Sequence, residues 1–388
     1  MEKGFKMRNS NDYVLRLLVI INGWAIKTMT GGDYHILRVL RNWSKEHHIS
    51  LIMPKLGYTS TTSMLSSRCS IYFTSGEEKI DGSATIIISY LTRIMRSLFL
   101  RFDQRPDVII ASSHLLYDVF PAIFLRRRLK SKLVVYVHHI LRSFRTQRHG
   151  IWSRISLLNE RISLSLCKTA DLIFVVNSDV RDALIDTGFR ADKIFMTGNG
   201  VEHQLIDSVK VSTKRFDACF CGRLVKSKGV YDLLEVWERV LKDFPKLRLL
   251  IIGDGQEYNH LLETVKNKAL DKNIILTGFL SEKLKIFAMK SCKIFISASY
   301  EEGWGIPVSE AMACELAVVC YDLSVYKVFG DAILKVEVGN KEAMAKAVIS
   351  LLADENSRKI MALDAKEASK PLSWEQVSMT ELKEINKM

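Results

Sequence analysis

Apolar residues along this chain recur in two forms. Short continuous runs at residues 14–21, 49–53, 107–111, 133–137, 171–176 and 193–197 have the look of strands buried on both faces, and the segments between them carry helical periodicity. A second series repeats the rhythm at 217–221, 247–252, 273–276, 293–297, 317–320 and 333–336. Strands alternating with helices predict an α/β protein with parallel, doubly wound sheets. The length of 388 residues suits two domains better than one. The polar stretch 208–215 reads as their connection. The predicted division is therefore residues 1–205, residues 206–370, and a last helix over 371–388 that opens on Ser373-Trp374-Glu375-Gln376, a capping-box pattern.

Charge changes this picture more than composition does. The net charge is +13, and residues 1–205 hold 29 Lys and Arg against 17 Asp and Glu, whereas residues 206–388 hold 27 against 26. The first half therefore carries a field that attracts anions: phospholipid, nucleic acid or a phosphorylated substrate. No helix-turn-helix, RNA-binding sheet motif or zinc spacing accompanies it, which argues against a nucleic-acid-binding module. Seven scattered cysteines, mostly within apolar runs, read as reduced, buried thiols. Cys219 and Cys221 would point to opposite faces of a strand and have no matching Cys/His pair, so they are not read as half a metal site. Residues 1–11 are polar, and the first apolar run is broken by Arg16 and too short to span a bilayer, so the expectation is a cytoplasmic protein.

Candidate chemistry concentrates in Ser299-Tyr300-Glu301-Glu302-Gly303-Trp304-Gly305-Ile306-Pro307-Val308-Ser309-Glu310, behind the strand at 293–297. The glycines predict a tight turn and Pro307 a helix start, so backbone N–H groups and a helix dipole would face an anion. Glu302 and Glu310 flank that hollow and can accept hydroxyl hydrogen bonds, as a sugar phosphate would require. A plainer reading leaves Glu302 solvated and Glu310 complementing the dipole. Upstream, Gly222-Arg223-Leu224-Val225-Lys226-Ser227-Lys228-Gly229 closes another strand; Arg223 offers a planar fork for phosphate and Lys228 a mobile charge. Both can equally be read as surface cations.

The spacing of Glu302 and Glu310 resembles the Glu-x7-Glu signature of retaining glycosyltransferases of the GT-B fold, the group 1 family, and Gly222-Arg223-Leu224 with Lys228-Gly229 resembles a second signature of that family. The resemblance runs from about Val14 to Trp374. It implies two Rossmann-like domains facing across a cleft, with the C-terminal helix crossing back to the first. It also implies transfer of a sugar from a nucleotide-diphosphate sugar to an acceptor. Glu302 and the backbone of Gly303, Trp304, Gly305 and Ile306 would hold the sugar and phosphate, Arg223 and Lys228 the diphosphate, and Glu310 the ribose. Gly253 and Gly255 match a further motif, Phe279 stands where the family places the nucleobase, and Gly31 and Gly32 match a Gly-rich loop facing the donor phosphate. A histidine lies near the sugar in the family, which implies that role for His138 and leaves His139 open.

No two aspartates are spaced i, i+2, so no Asp-x-Asp metal site is expected, and cations with helix dipoles would neutralise the diphosphate. A same-fold rival is a nucleotide-sugar epimerase or hydrolase, which would need no acceptor. One departure concerns residues 313–317. The family commonly reads Ala-Cys-Gly-x-Pro where this chain has Ala313-Cys314-Glu315-Leu316-Ala317. An unchanged turn would cost about 1 kcal/mol with Glu in the left-handed position. The acceptor is expected to be a glycan or lipid-linked. Residues 90–102, with Leu91, Ile94, Met95, Leu98, Phe99 and Phe102 on one face, are read as a core helix; Arg126, Arg127 and Arg128 are read as the site for an anionic membrane surface.

Overall fold

The computed structural model describes residues 14–24, 31–62, 65, 69–76, 78, 83–140 and 151–388. The chain forms two compact units. The first comprises residues 1–175, 180–197 and 378–388, and the second residues 176–179 and 198–377. By compactness the first unit ends at Thr197 and the second runs on from Gly198, with the polar stretch 208–215 inside the second unit.

In the first unit the strands are β1 (Arg16–Ile20), β2 (His48–Pro54), β3 (Cys69–Ser75), β4 (Val108–Ala111), β5 (Lys132–Val137), β6 (Leu172–Val175) and β7 (Ile194–Met196). They form one sheet in the order β3-β2-β1-β4-β5-β6-β7, every pair parallel. Its helices are α1 (Gly31–Trp43), α2 (Tyr58–Thr62), α3 (Ser83–Phe99), α4 (Leu116–Leu129), α5 (Ile151–Cys167) and α6 (Ser178–Asp186), whose first two residues belong to the second unit. Leu17, Leu18, Val19 and Ile20 are buried, as are Leu133 to Val137, because helices cover both faces of a parallel sheet. The edge strand β3 pairs only with β2.

The second unit contains α7 (His203–Ser208), β8 (Phe216–Cys221), α8 (Val230–Asp243), β9 (Leu249–Ile252), α9 (Tyr258–Asn267), β10 (Ile274–Leu276), α10 (Glu282–Lys290) and β11 (Cys292–Ser297). It continues with α11 (Ile306–Ala313), β12 (Ala317–Tyr321), β13 (Leu334–Val336), α12 (Lys341–Ala353), α13 (Glu355–Ser369) and the first four residues of α14 (Trp374–Ile385). The sheet order is β10-β9-β8-β11-β12-β13, again all parallel. Val230, Leu233, Leu234, Trp237 and Val240 of α8 are buried on one side, the stripe that the periodicity predicts. In both sheets strand order reverses beside the first strand, and ligands of such sheets bind at the carboxyl ends there.

Within α14 the chain leaves the second unit and returns to the first. Its start is clamped in the second unit, where Val201 N–H donates to Leu372 O at 2.8 Å and a Cβ on Gly200 would lie 2.4 Å from the Trp374 nitrogen. Ser373 Oγ caps it by accepting from Gln376 N–H at 3.0 Å. Its end lies on α1: Trp43 Nε1 donates to Ser378 O at 2.8 Å and Asn42 Nδ2 to Ser378 Oγ at 3.1 Å. Glu381 is fully buried there, 2.9 Å from His35 Nε2 and accepting from the Tyr136 hydroxyl at 2.6 Å.

The helix α3 corrects one expectation. Leu91, Met95 and Phe99, read as core, are exposed, whereas Arg93 and Ser97 face inward and are fully buried. Arg93 donates to Asn22 O and Trp24 O, each at 2.6 Å, and pairs with Glu78, so its guanidinium satisfies carbonyls just beyond β1. Two members of the basic cluster have partners within the protein. Arg126 donates to Thr169 O at 2.6 Å and pairs with Asp171 at 3.1 Å, while Arg128 donates to Leu98 O and Leu100 O, each at 2.5 Å. Only Arg127 of the three has no partner among the described residues.

All seven cysteines are free thiols, and all but Cys69 are buried. Burial pushes Cys167, Cys221, Cys314 and Cys320 up to about 12 and Cys69 up to about 11.

Glu381 holds two buried polar groups at once, and deleting a shared buried partner costs about 2–4 kcal/mol. Glu381→Ala is expected to lower the urea midpoint followed by circular dichroism, with Glu381→Gln, which keeps an acceptor for Tyr136, losing less; a midpoint unchanged in Glu381→Ala overturns this account.

Candidate functional site

The second unit builds its candidate site from three loops at the carboxyl ends of β8, β9 and β11. Gly222 N–H donates to Ile252 O at 3.0 Å, Leu224 N–H to Asp254 O at 2.9 Å and Glu257 N–H to Leu224 O at 3.0 Å, so the loops after β8 and β9 are zipped together. A Cβ on Gly253 would sit 1.9 Å from Gly222 O, and one on Gly255 would sit 2.3 Å from Leu224 O. Both glycines allow the close approach of protein backbone to protein backbone.

The third loop is attached in the same way. Gly229 has φ 62°, and a Cβ there would lie 1.8 Å from Ala298 O. Tyr300 N–H donates to Ser227 O at 2.9 Å, and the hydroxyls of Tyr300 and Tyr321 both donate to Asp232 Oδ2, at 2.6 and 2.7 Å. This contact delivers Lys228 to Glu302. Lys228 Nζ lies 2.7 Å from Glu302 Oε2 and donates to Glu301 O at 3.1 Å, while Ser299 Oγ donates to Glu302 Oε1 at 2.9 Å. Both charged side chains are largely shielded, so their attraction is screened less than on an open surface. Arg223 is exposed, and its side chain has no ion-pair partner among the described residues.

The Gly303–Gly305 segment turns sharply into α11. Gly305 has φ 85° and ψ 50°, and a Cβ on it would lie 2.5 Å from the Tyr326 ring. Asn177 Nδ2 donates to Gly303 O. The ring of Trp304 is buried, its Nε1 donating to Ser309 Oγ at 3.1 Å and its edge lying against Gly198. Only the Trp304 backbone is thus offered outward. Ile306 begins α11 and Pro307 follows it.

Glu310 is the fifth residue of α11, beyond the first turn, so it does not complement the helix dipole. It is buried, and its Oε1 lies 2.8 Å from Nζ of Lys285 on α10, which also pairs with Glu282 at 3.2 Å. Lys285 escaped sequence reasoning; within α10 it looks like one half of a surface i, i+3 pair. Phe279 lies three residues beyond β10 and is 75% exposed, next to Gly278, whose carbonyl accepts from Gly253 N–H at 3.1 Å. An exposed aromatic face there can stack on a planar base.

In the first unit, Gly31 and Gly32 open α1, and residues 28–30 of the predicted Gly-rich turn lie outside the described residues. A Cβ on Gly32 would lie 2.8 Å from the His138 ring, whereas one on Gly31 meets open space. His138 Nε2 donates to Ser112 O at 3.0 Å, which leaves Nδ1 as the acceptor of a neutral ring. Burial first, then neighbouring His35 and His139, hold the His138 pKa well below the usual histidine value. The ring is stacked on Tyr136 with centroids 5.7 Å apart. His139 stands edge-on to His114. Among the described residues no group of three or more His, Cys, Asp or Glu could hold a metal ion.

Two family models match the chain: "Glycosyl transferases group 1" over residues 202–368 and "Glycosyltransferase Family 4" over residues 29–205. An uncharacterized glycosyltransferase of Methanocaldococcus jannaschii is 24% identical over 95% of this chain and 97% of its own. A Campylobacter jejuni N-acetylgalactosamine-N,N'-diacetylbacillosaminyl-diphospho-undecaprenol 4-alpha-N-acetylgalactosaminyltransferase is 27% identical over 58% of this chain and 69% of its own. Among solved structures, Anabaena Alr3699/HepE in complex with UDP and glucose superposes with a TM-score of 0.74 at 14% identity, covering 96% of this chain and all of that one.

The end of α11 keeps the turn that a glycine would favour. Glu315 has φ 59°, with Glu315 N–H donating to Met312 O at 3.0 Å and Leu316 N–H to Ala311 O at 3.1 Å, the two bonds of a Schellman motif. Left-handed backbone costs a side-chain-bearing residue about 1–2 kcal/mol. The half-exposed Lys366–Glu315 pair, 2.8 Å, offsets only a few tenths of that. Glu315→Gly is therefore expected to stabilise the protein by about 0.5 kcal/mol, read as a higher urea midpoint, and a lower midpoint overturns the strain argument.

Proposed function

The chain belongs to the group 1 glycosyltransferases of the GT-B fold, and on that footing we propose that it moves a sugar from a nucleotide-diphosphate sugar to a glycan or lipid-linked acceptor, with retention and without a divalent metal. The observation that carries this reading is the Lys228–Glu302 pair at the carboxyl ends of β8 and β11, where the sheet's strand order reverses. A cation and a carboxylate held 2.7 Å apart divide the work at a sugar phosphate. Lys228, with exposed Arg223, takes the diphosphate as negative charge develops on it, and Glu302 accepts hydrogen bonds from sugar hydroxyls. The N–H groups at Gly303 to Ile306 and the α11 dipole add fixed positive potential.

Glu310, oriented by Lys285, accepts from the ribose, and Phe279 stacks on the base. For His138 the neutral ring points to an acceptor of a sugar hydroxyl rather than a cation or a proton donor. Support from outside the chain comes from the UDP and glucose bound to the Anabaena protein and from the diphospho-undecaprenol acceptor in the Campylobacter enzyme's name.

Three outcomes follow. Turnover is expected to survive excess EDTA, since protein cations neutralise the leaving group; complete loss restored by Mg2+ or Mn2+ overturns metal independence. Glu310→Gln is expected to raise KM and weaken binding of the free nucleoside diphosphate alike, because the ribose lies away from the breaking bond. Glu302→Gln is expected to lower kcat by roughly 10²–10³ with nucleotide affinity near wild type. Titration calorimetry and steady-state kinetics on both variants decide it, and the reverse pattern inverts the sugar and ribose ends.

A further inference from the structure

The helix α3 exposes what a water-facing helix normally hides. Ile88, Leu91, Met95 and Phe99 are 63%, 57%, 51% and 75% exposed, and their spacing of three and four residues places them on one face. The neighbouring α4 adds exposed Phe120 and Phe124. A contiguous apolar surface of this kind marks an interaction site. The inversion is built in, because Arg93 and Ser97 occupy the inward face and bond to the segment after β1.

Charge decides what covers this surface. The acidic residues of α3, α4 and α5 are Asp118 and Glu160, and both are buried. Their exposed charges are therefore all positive: Arg96 on α3, Arg127 on α4 and Arg161 on α5 among them. Arg127 shares the outward face of α4 with Phe120 and Phe124 by its i+3 and i+7 spacing. We infer that the outward face of α3 and α4 docks on an anionic lipid bilayer, Ile88, Leu91, Met95, Phe99, Phe120 and Phe124 entering the interface while Arg96 and Arg127 meet lipid phosphates. A second copy of the chain would bring like charges together across the same face. No helix among the described residues is long and apolar enough to cross a membrane, so the attachment is along the surface. This goes beyond the transferase reading and does not depend on it.

The test is co-sedimentation of the full chain, without substrate, with phosphatidylcholine vesicles containing about 30 mol% phosphatidylglycerol. The triple variant Leu91→Gln, Met95→Gln and Phe99→Gln is expected to bind at least about tenfold more weakly at both low and high salt. Arg96→Gln with Arg127→Gln is expected to lose binding mainly at low salt, where the wild-type attraction is strongest. The substituted side chains are exposed, and circular dichroism checks the fold; the single variant Phe99→Gln, in the last helical turn, carries the same sign of effect if the triple variant unfolds. Wild-type protein that ignores the anionic vesicles, binds neutral ones equally well, or is matched by Phe99→Gln overturns the inference. So does wild-type self-association in sedimentation velocity that the triple variant abolishes while vesicle binding is absent. Donor binding by calorimetry is read separately, so failure here leaves the transferase reading standing.

Discussion

At the carboxyl ends of the second sheet, one backbone lies directly on another, and everything nearby depends on that contact. The Ala298 carbonyl occupies the space where Gly229 would carry a Cβ, and the carbonyls of Gly222 and Leu224 do the same at Gly253 and Gly255. Three loops that would otherwise wander are joined to each other before any ligand arrives. Lys228 and Glu302 are held by this joint rather than by their own attraction, which at a partly exposed site would stabilise little by itself. Preorganisation of this kind removes the ordering entropy that binding would otherwise have to overcome.

Charge is handled by the same principle of holding a group before it is needed. Glu310 with Lys285 and Arg93 with Glu78 place paired charges away from water, and Glu381 is held beside His35 and Tyr136 in the same way. Such pairs add little net stability compared with apolar replacements, yet removing one member is costly, so they fix arrangement more than they fix energy. Arg93 illustrates this: its guanidinium ties α3 to the end of β1 and thereby decides which face of α3 meets the surroundings.

Among the described residues, twelve of the thirteen strands were legible to within a residue or two, most of them because a strand buried on both faces is a continuous apolar run. β3 was not, since an edge strand reading Cys-Ser-Ile-Tyr-Phe-Thr-Ser has one sheet neighbour and mixes polar with apolar positions. The orientation of α3 was hidden for another reason: the acceptors that draw Arg93 inward, Asn22 O and Trp24 O, lie about seventy residues earlier in the chain. Periodicity sees an apolar face and assumes it is inside. At the site, motif spacing located Lys228 and Glu302 but not their direct pairing, and it singled out Gly253 and Gly255 while missing that their neighbour is protein. Lys285 left no sequence signal. Glu315 was legible as a question, and the answer lies in backbone that kept its left-handed turn against the side chain's preference.

The seven cysteines carry a practical consequence. With the thiols of Cys167, Cys221, Cys314 and Cys320 held near pKa 12 and out of water, alkylating reagents meet almost no thiolate on the folded chain. Their labelling rate therefore becomes a clock for opening. Cys167 keeps time for the first unit, and Cys219, Cys221, Cys292, Cys314 and Cys320 keep time for the second. Mass spectrometry of the tagged peptides would resolve which unit breathes first, with no foreign probe built into either.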